Sequence, residues 1–296
     1  MKKFIILILL VTFNLCYADK ITVDGIERTY ILHVPKILDK TTPAPLVFVL
    51  HGGGGTAKGM NKLTGFNKVS DEYGFIVCYP QGIDKHWNDG RKVNITYING
   101  VEVNDVKFFS LLIDTLLAKY NIDSTRIYSC GISNGGMMSF RLGCELNNKI
   151  AAIAPVAISM SEVLYNSCVP SRPVPVMIIF GDDDPLVPFE GGSIKWDRGE
   201  VVSVKKTVEF WIKNNKCGDT PTETEIDNAD DDTSVKKFVF SGSTQRDEVV
   251  FYLIYGGGHT WPGGWQYLPK LVVGRTSKEF NASEVIWKWF EGKRLE

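Results

Sequence analysis

The sequence predicts a wound α/β fold, with a mostly parallel central sheet flanked by helices on both faces. Three observations carry this reading. Short unbroken apolar runs recur along the chain, helical patterns separate them, and glycine-rich turns close several of the runs. A strand covered by helices on both faces is apolar throughout, not at alternate positions. Strand then helix, repeated, is the pattern that winds such a sheet.

The elements follow in order. Asp24-Gly25 lies between Ile21-Thr22-Val23 and Thr29-Tyr30-Ile31-Leu32 and signals a hairpin. Apolar runs follow at 45–50, 75–79, 126–130, 151–156, 174–180 and 249–255. The first of these ends in a glycine cluster, the second at Pro80 and the third at Gly131. Residues 105–120 place Val106, Phe109, Leu112, Ile113, Leu116 and Leu117 on one helical stripe. Further helices are expected at 134–146, at 201–214 with Val204, Val208, Trp211 and Ile212 on one face, and at 283–291. The polar, acidic stretch 217–234 reads as a surface excursion, not a domain boundary. Its Asp230-Asp231-Asp232 run lacks the alternating ligands, glycine and terminal Glu of a calcium loop.

The amino terminus reads as a leader. Lys2 and Lys3 precede an apolar run at 4–13 that is short for a bilayer span, and Cys16-Tyr17-Ala18 offers a cleavage site. Residues 1–18 are therefore expected to be a signal peptide and 19–296 one catalytic domain, secreted to the periplasm or the medium without a stable membrane anchor. With 44% hydrophobic and 23% charged residues the chain is ordinarily globular, which excludes a disordered or repeat protein. A net charge of -1 supplies no field for nucleic acid or anionic membrane. Export permits disulfides. Of Cys78, Cys130, Cys144, Cys168 and Cys217, the preferred bridge is Cys144 to Cys168, and the odd count leaves a thiol over.

Gly131-Ile132-Ser133-Asn134-Gly135 follows one strand and opens a helix. This is the G-x-S-x-G nucleophile elbow of the α/β-hydrolase fold in its required context. The turn is sharp, so the residues two before and two after the serine must be small. A serine hydroxyl needs a base. Of His33, His51, His86 and His259, only His259 follows Ser133, as the chain order Ser, acid, His demands. His33 reads as a strand residue; His86 could line the site or be exposed, and exposure is preferred. The acid lies in Gly181-Asp182-Asp183-Asp184-Pro185, where Asp184 is preferred because Pro185 restrains it, with Asp183 as the alternative. His51-Gly52-Gly53-Gly54-Gly55 is an HGGG-type oxyanion loop. Gly53, or Gly52, would donate one N–H and Asn134 the other. A phosphate-binding reading fails because the loop lacks the Lys-Ser/Thr ending.

Together, His51-Gly-Gly-Gly-Gly, Gly131-Ile-Ser-Asn-Gly-Gly136, Asp184-Pro-Leu-Val-Pro188 and Gly257-Gly-His-Thr-Trp-Pro-Gly263 resemble the polyhydroxybutyrate depolymerase-like and feruloyl esterase proteins of the first carbohydrate esterase family. The likeness runs from about residue 26 to 289. It implies Ser133, Asp184 and His259 as the triad and Trp261 as a wall of the acyl pocket. The chain departs from relatives in having Phe180 where His is frequent and in lacking a cysteine at 240–249 to pair with Cys217.

The expected reaction is ester hydrolysis through an acyl-enzyme, with no metal or organic cofactor. Trp87, Trp261 and Trp265 are candidates to stack on a phenolic acyl group or a sugar. Feruloyl or related esters on plant cell-wall polysaccharide are preferred as substrate. Polyhydroxyalkanoates and acetylated xylan are alternatives. A serine peptidase and a non-catalytic sugar-binding protein are the readings from other classes. Asn94-Ile95-Thr96 and Asn281-Ala282-Ser283 fit the glycosylation sequon.

Overall fold

The computed structural model describes residues 18–39, 41–93, 97–98, 100–244 and 247–296. Apart from Ala18, the expected leader lies outside the described residues, as does Asn94 of the first sequon.

Strands β1 (Asp19–Val23) and β2 (Ile26–His33) form the expected hairpin. Asp24 and Gly25 take φ of 51° and 77°, which suits a mirror-image two-residue turn. Strand β3 (Ala44–Leu50) is buried along its whole length. Two helices that carry no long apolar stripe follow, α1 (Ala57–Thr64) and α2 (Phe66–Tyr73), with Gly65 in the left-handed region between them. Next come β4 (Ile76–Pro80), the small β5 (Tyr97–Ile98) and β6 (Val101–Glu102) pair, and α3 (Asp105–Lys119), capped by Asn104. Strand β7 (Ile122–Ile132) leads into α4 (Asn134–Glu145), and β8 (Ala152–Val156) into α5 (Glu162–Ser167). Strand β9 (Val176–Gly181) precedes a short hairpin of β10 (Gly192–Ser193) and β11 (Glu200–Val201), then α6 (Val204–Asn215). The chain ends with β12 (Thr222–Ile226), β13 (Ser234–Phe240), β14 (Val249–Tyr255), α7 (Lys270–Val273) and α8 (Ala282–Phe290).

One large sheet runs in the order β1-β2-β4-β3-β7-β8-β9-β14-β13-β12. The strands from β4 to β14 are parallel, and antiparallel hairpins extend both edges. Part of the acidic excursion is therefore structured. Strand β12 extends the sheet by pairing with β13, which the sequence hides because Thr222-Glu-Thr-Glu is exposed and carries no apolar run. The two faces divide by strand period. Leu46, Phe48 and Leu50 pack with Phe109 of α3, Phe140 of α4 and Trp211 of α6. Val47 and Val49 pack with Met60 of α1, Phe66 of α2 and Trp287 of α8. Cys144 at the end of α4 is disulfide-bonded to Cys168, which caps α5. Cys78 and Cys130 are buried free thiols, and the Cys217 thiol donates to Asp247 O at 2.9 Å. Asn281 of the second sequon caps α8 through its side chain. Among the described residues no helix is long and apolar enough to cross a membrane.

Candidate active site

Ser133 stands at the carboxyl end of β7, in the gap before α4. Its backbone has φ 56° and ψ -122°, a region L residues rarely enter. The neighbours hold it there: Ser133 N–H donates to Val156 O at 2.9 Å, and Ser133 O accepts from Met137 N–H at 2.8 Å. The flanking glycines are sterically required. A Cβ on Gly131 would lie 2.7 Å from Leu50 O, and one on Gly135 2.6 Å from His51 O. The close approach of β3 to the elbow thus explains both glycines of the motif.

His259 lies in the loop after β14. Its N–H donates to Val273 O at 2.6 Å and its carbonyl accepts from Tyr267 Oη at 2.9 Å, so the ring is carried by a braced backbone. His259 Nδ1 lies 2.7 Å from Asp184 Oδ2, and the Asp184 side chain is fully enclosed. An ionised carboxylate only accepts, so Nδ1 carries the proton and Nε2 presents its lone pair. Asp184 Oδ1 accepts from Leu186 N–H at 2.8 Å and Val187 N–H at 2.9 Å. Of the three competing acids, it is Asp184 that meets the imidazole. Asp182 instead accepts from Gly256 N–H at 2.7 Å, and Asp183 is exposed. No hydrogen bond joins Ser133 Oγ to His259 among the described residues. Such bonds are often long in unliganded sites and shorten when substrate docks.

The glycine loop after β3 lies across the elbow. A Cβ on Gly53 would fall 3.2 Å from His86 Cδ2 and 3.8 Å from Asn134 Cβ, so this backbone is packed between the two. The Gly53 N–H meets no acceptor among the described residues, and Asn134 is the first residue of α4, where N–H groups have no helical partner. His51 has a different role. Its Nδ1 donates to Gly52 O at 2.8 Å and its Nε2 accepts from Gly82 N–H at 3.0 Å. Burial, the largest cause, lowers its pKa to about 4, so it is a neutral structural link between loops.

The segment from Gly82 to Arg91 is tied to the elbow. Asn134 Oδ1 accepts from Trp87 N–H at 2.9 Å, and Asn134 Nδ2 donates to Trp87 O at 3.1 Å and to Asp89 Oδ2 at 2.5 Å. Asp89 also pairs with Arg91 at 2.7 Å. Behind it, Asn88 N–H donates to Asp105 Oδ2 at 2.7 Å, and Asp105 Oδ1 pairs with Arg28 Nη2 at 2.6 Å in a buried salt bridge. Burial outweighs Arg28 and pushes the Asp105 carboxyl above its ordinary range.

Two clefts meet at Ser133 and His259. One, of about 470 Å³, is mostly apolar and is lined by Met60, Leu63, Trp265, Leu268 and Val272. The other is narrower and polar, lined by His86, Trp87, Arg91, Lys195 and Asn134. Gly53, Leu186, Trp196 and Arg198 line both. A larger concavity of about 700 Å³ lies at the amino ends of the strands, near Ser124 and Arg172, and holds none of the candidate residues.

Two expectations need correction. Trp261 does not wall a cleft: it is wholly buried beneath the site, packed on Phe66, with Nε1 donating to Ser283 Oγ at 3.1 Å. His86 follows the alternative to the preferred exposed reading: it lines the polar cleft, with Nδ1 donating to Asp84 O at 2.8 Å. Trp265 does line the apolar cleft, and Trp87 lines the polar one while donating Nε1–H to His51 O at 2.9 Å. The sequence reading passed over Trp196, Lys195 and Arg198. Glycines on either side, at 191–192 and 199, were the available hint of a hairpin tip.

Comparison with known proteins places the chain in a family. A family model described as Esterase PHB depolymerase matches residues 29–171. The putative esterase NocK of Nocardia uniformis subsp. tsuyamanensis is 31% identical over 283 residues, covering 90% of this chain and 80% of that protein. The chain belongs to the esterase PHB depolymerase family. Feruloyl esterase B of Piromyces equi is 28% identical over 258 residues, 83% of this chain but only 46% of that longer protein. Among solved structures, an acetyl xylan esterase from Aspergillus awamori aligns with a TM-score of 0.60 at 15% identity, over 93% of this chain and 99% of that one. At that identity the likeness concerns the fold, which is the α/β-hydrolase fold. Membership places this esterase-family chain among the ester hydrolases.

Proposed function

We propose that this family member is a secreted serine carboxylesterase in which Ser133, His259 and Asp184 act as a triad. The observation that carries the reading is the meeting of three features at one point. A serine sits at positive φ between strand and helix, a histidine with an outward Nε2 faces the same clefts, and an enclosed carboxylate holds that histidine's other nitrogen.

In the proposed reaction, His259 Nε2 takes the Ser133 proton as Oγ bonds to the ester carbonyl carbon. The oxyanion that forms is held by the Gly53 and Asn134 N–H groups. The tetrahedral adduct collapses with cleavage of the carbon–oxygen bond to the alcohol, which leaves with the proton from His259. Water, deprotonated by His259, then attacks the acyl-enzyme and frees Ser133. Asp184 stays ionised throughout and stabilises the imidazolium.

The proposed substrates are feruloyl or related acyl esters on plant cell-wall polysaccharide, reached after export with cleavage behind Ala18. The feruloyl esterases among the relatives and the apolar cleft with Trp265 support this choice. Polyhydroxyalkanoate is the second reading, favoured by the family to which the chain belongs. A panel of methyl ferulate, acetylated xylan, hydroxybutyrate oligomers and a peptide amide separates the classes. Ser133→Ala and His259→Ala should each lower kcat by on the order of 10⁶ if the groups act as a unit. Turnover close to wild type in either variant refutes the proposed mechanism, and cleavage of the amide alone would make the chain a peptidase.

A further inference from the structure

The β10–β11 hairpin stands over the candidate site and is not needed for the acyl chemistry. Its strands pair Gly192 with Val201 and Ser193 with Glu200, and Ile194 N–H donates to Gly199 O at 2.9 Å. Lys195 N–H donates to Leu186 O at 3.0 Å, which fixes the tip to the loop that carries Asp184. On the other side, Arg91 Nη1 donates to Arg198 O at 2.8 Å. At the tip, Trp196 and Asp197 take φ of 64° and 54°, two successive non-glycine residues in the left-handed region. That arrangement is costly for a tryptophan and turns its ring outward, where it is 58% exposed.

Two cations bracket this ring. Arg198 Cζ lies 4.9 Å and Lys195 Nζ 5.5 Å from the Trp196 centroid. Neither has a carboxylate partner among the described residues, whereas the nearby Arg91 is neutralised by Asp89. Trp196 and Arg198 line both clefts beside Ser133 and His259, and Lys195 lines the polar one. An aromatic face with two unpaired cations, held rigidly at the junction of the clefts, is arranged to bind a flat or ring-shaped group that carries negative charge.

We propose that the hairpin tip is a carboxylate subsite, so that the preferred ester bears a carboxylate on its alcohol portion. This rests on the esterase reading above. The apolar cleft suits the acyl group, which leaves the polar, cationic cleft for the alcohol. Trp196 covers the alcohol's ring or chain, while Arg198 and Lys195 hold the carboxylate. Two sources share that chemistry: a uronate residue of an acidic polysaccharide, and the free acid end of a hydroxyacid oligomer.

The test compares kcat/KM within matched pairs that differ only in charge. One pair is an acetylated 4-nitrophenyl glucuronide and its uronamide, whose neutral group is not an ester. The other is the dimer of 3-hydroxybutyrate and its terminal primary amide. Exposed charge pairs contribute a few-fold each, so two together should favour the anionic member by about tenfold at low salt. That ratio should fall towards one at high salt, where the Debye length shortens, and in the Lys195→Gln/Arg198→Gln variant. It should invert in Arg198→Glu. A preference in one pair only supports the subsite and names its source. Equal rates in both pairs, or a preference that survives Lys195→Gln/Arg198→Gln, overturn the proposal while leaving the esterase reading intact. Cleavage of none of the four, nor of 4-nitrophenyl acetate, overturns both.

Discussion

Replacing Asp184 by Asn separates the orientation of His259 from the bulk of the site. Asp184 Oδ1 accepts two backbone N–H groups, from Leu186 and Val187, and Oδ2 faces His259 Nδ1. An asparagine has the same shape but only one oxygen. If that oxygen stays where two donors need it, the NH₂ group turns towards His259. The opposite orientation would aim donors at donors and lose two buried hydrogen bonds, each costing about 1–3 kcal/mol. The first orientation therefore wins. Nδ1 must then accept, the ring proton moves to Nε2, and Ser133 faces a donor in place of a base. The cost of that wrong tautomer is on the order of 10⁴ in kcat, or about 5.5 kcal/mol of barrier. The assay is initial-rate hydrolysis of 4-nitrophenyl acetate, with KM expected to change little and the melting temperature as a control for folding. Asp183→Asn, at an exposed neighbour, should leave kcat within about twofold of wild type. An Asp184→Asn enzyme within tenfold of wild type, or a large loss in Asp183→Asn, would refute the reasoning.

Three further outcomes are expected. His51 is held neutral with its pKa lowered to about 4. As pH falls the unfolded chain takes up that proton first, so His51's contribution is complete above about pH 6.5 and drains towards pH 4, by about 3 kcal/mol in all. Urea unfolding of wild type and His51→Gln should therefore converge between pH 7 and pH 4.5, and parallel pH dependences would contradict this. Arg28→Met leaves Asp105 buried without its partner and should cost about 3–5 kcal/mol, part of which Arg28→Met/Asp105→Leu recovers, as thermal unfolding would show. Removing the Cys144–Cys168 bridge, at a separation of 24 residues, frees the unfolded chain and should cost about 3.5 kcal/mol. An equal melting temperature for Cys144→Ala/Cys168→Ala would show that this bridge adds nothing to stability.

The parallel centre of the sheet was legible because strands buried on both faces have no choice of residue type. Val47, Phe48 and Val49 must all be apolar, and the run shows it. The edge strand β12 was not legible. Its solvent-facing Thr and Glu residues resemble a loop, and only its partner β13 makes it a strand. Helices α1 and α2 were missed for a similar reason: each is short, and it is the packing of Met60 of α1 and Phe66 and Tyr73 of α2 with Trp261 and Trp287 that holds them in place. Trp261 itself sits in a motif that reads as substrate-facing, yet its backbone direction buries it against Ser283.

Ser133 and His259 as candidates, with the aspartate loop at 181–188 and the glycine loop at 51–55, could be named from the chain alone. Steric and chemical necessity restricts the residue types there: glycines where β3 touches the elbow, and a single histidine after the serine. Which of three adjacent aspartates meets the imidazole, and that Trp196 with its two cations overhangs the site, were decided only by the tertiary structure. Adjacent side chains point in different directions, and a hairpin tip far from Ser133 in sequence leaves no local trace of what it covers. Linear order restricts chemistry where the backbone is crowded; it says nothing about contacts made by loops across open space.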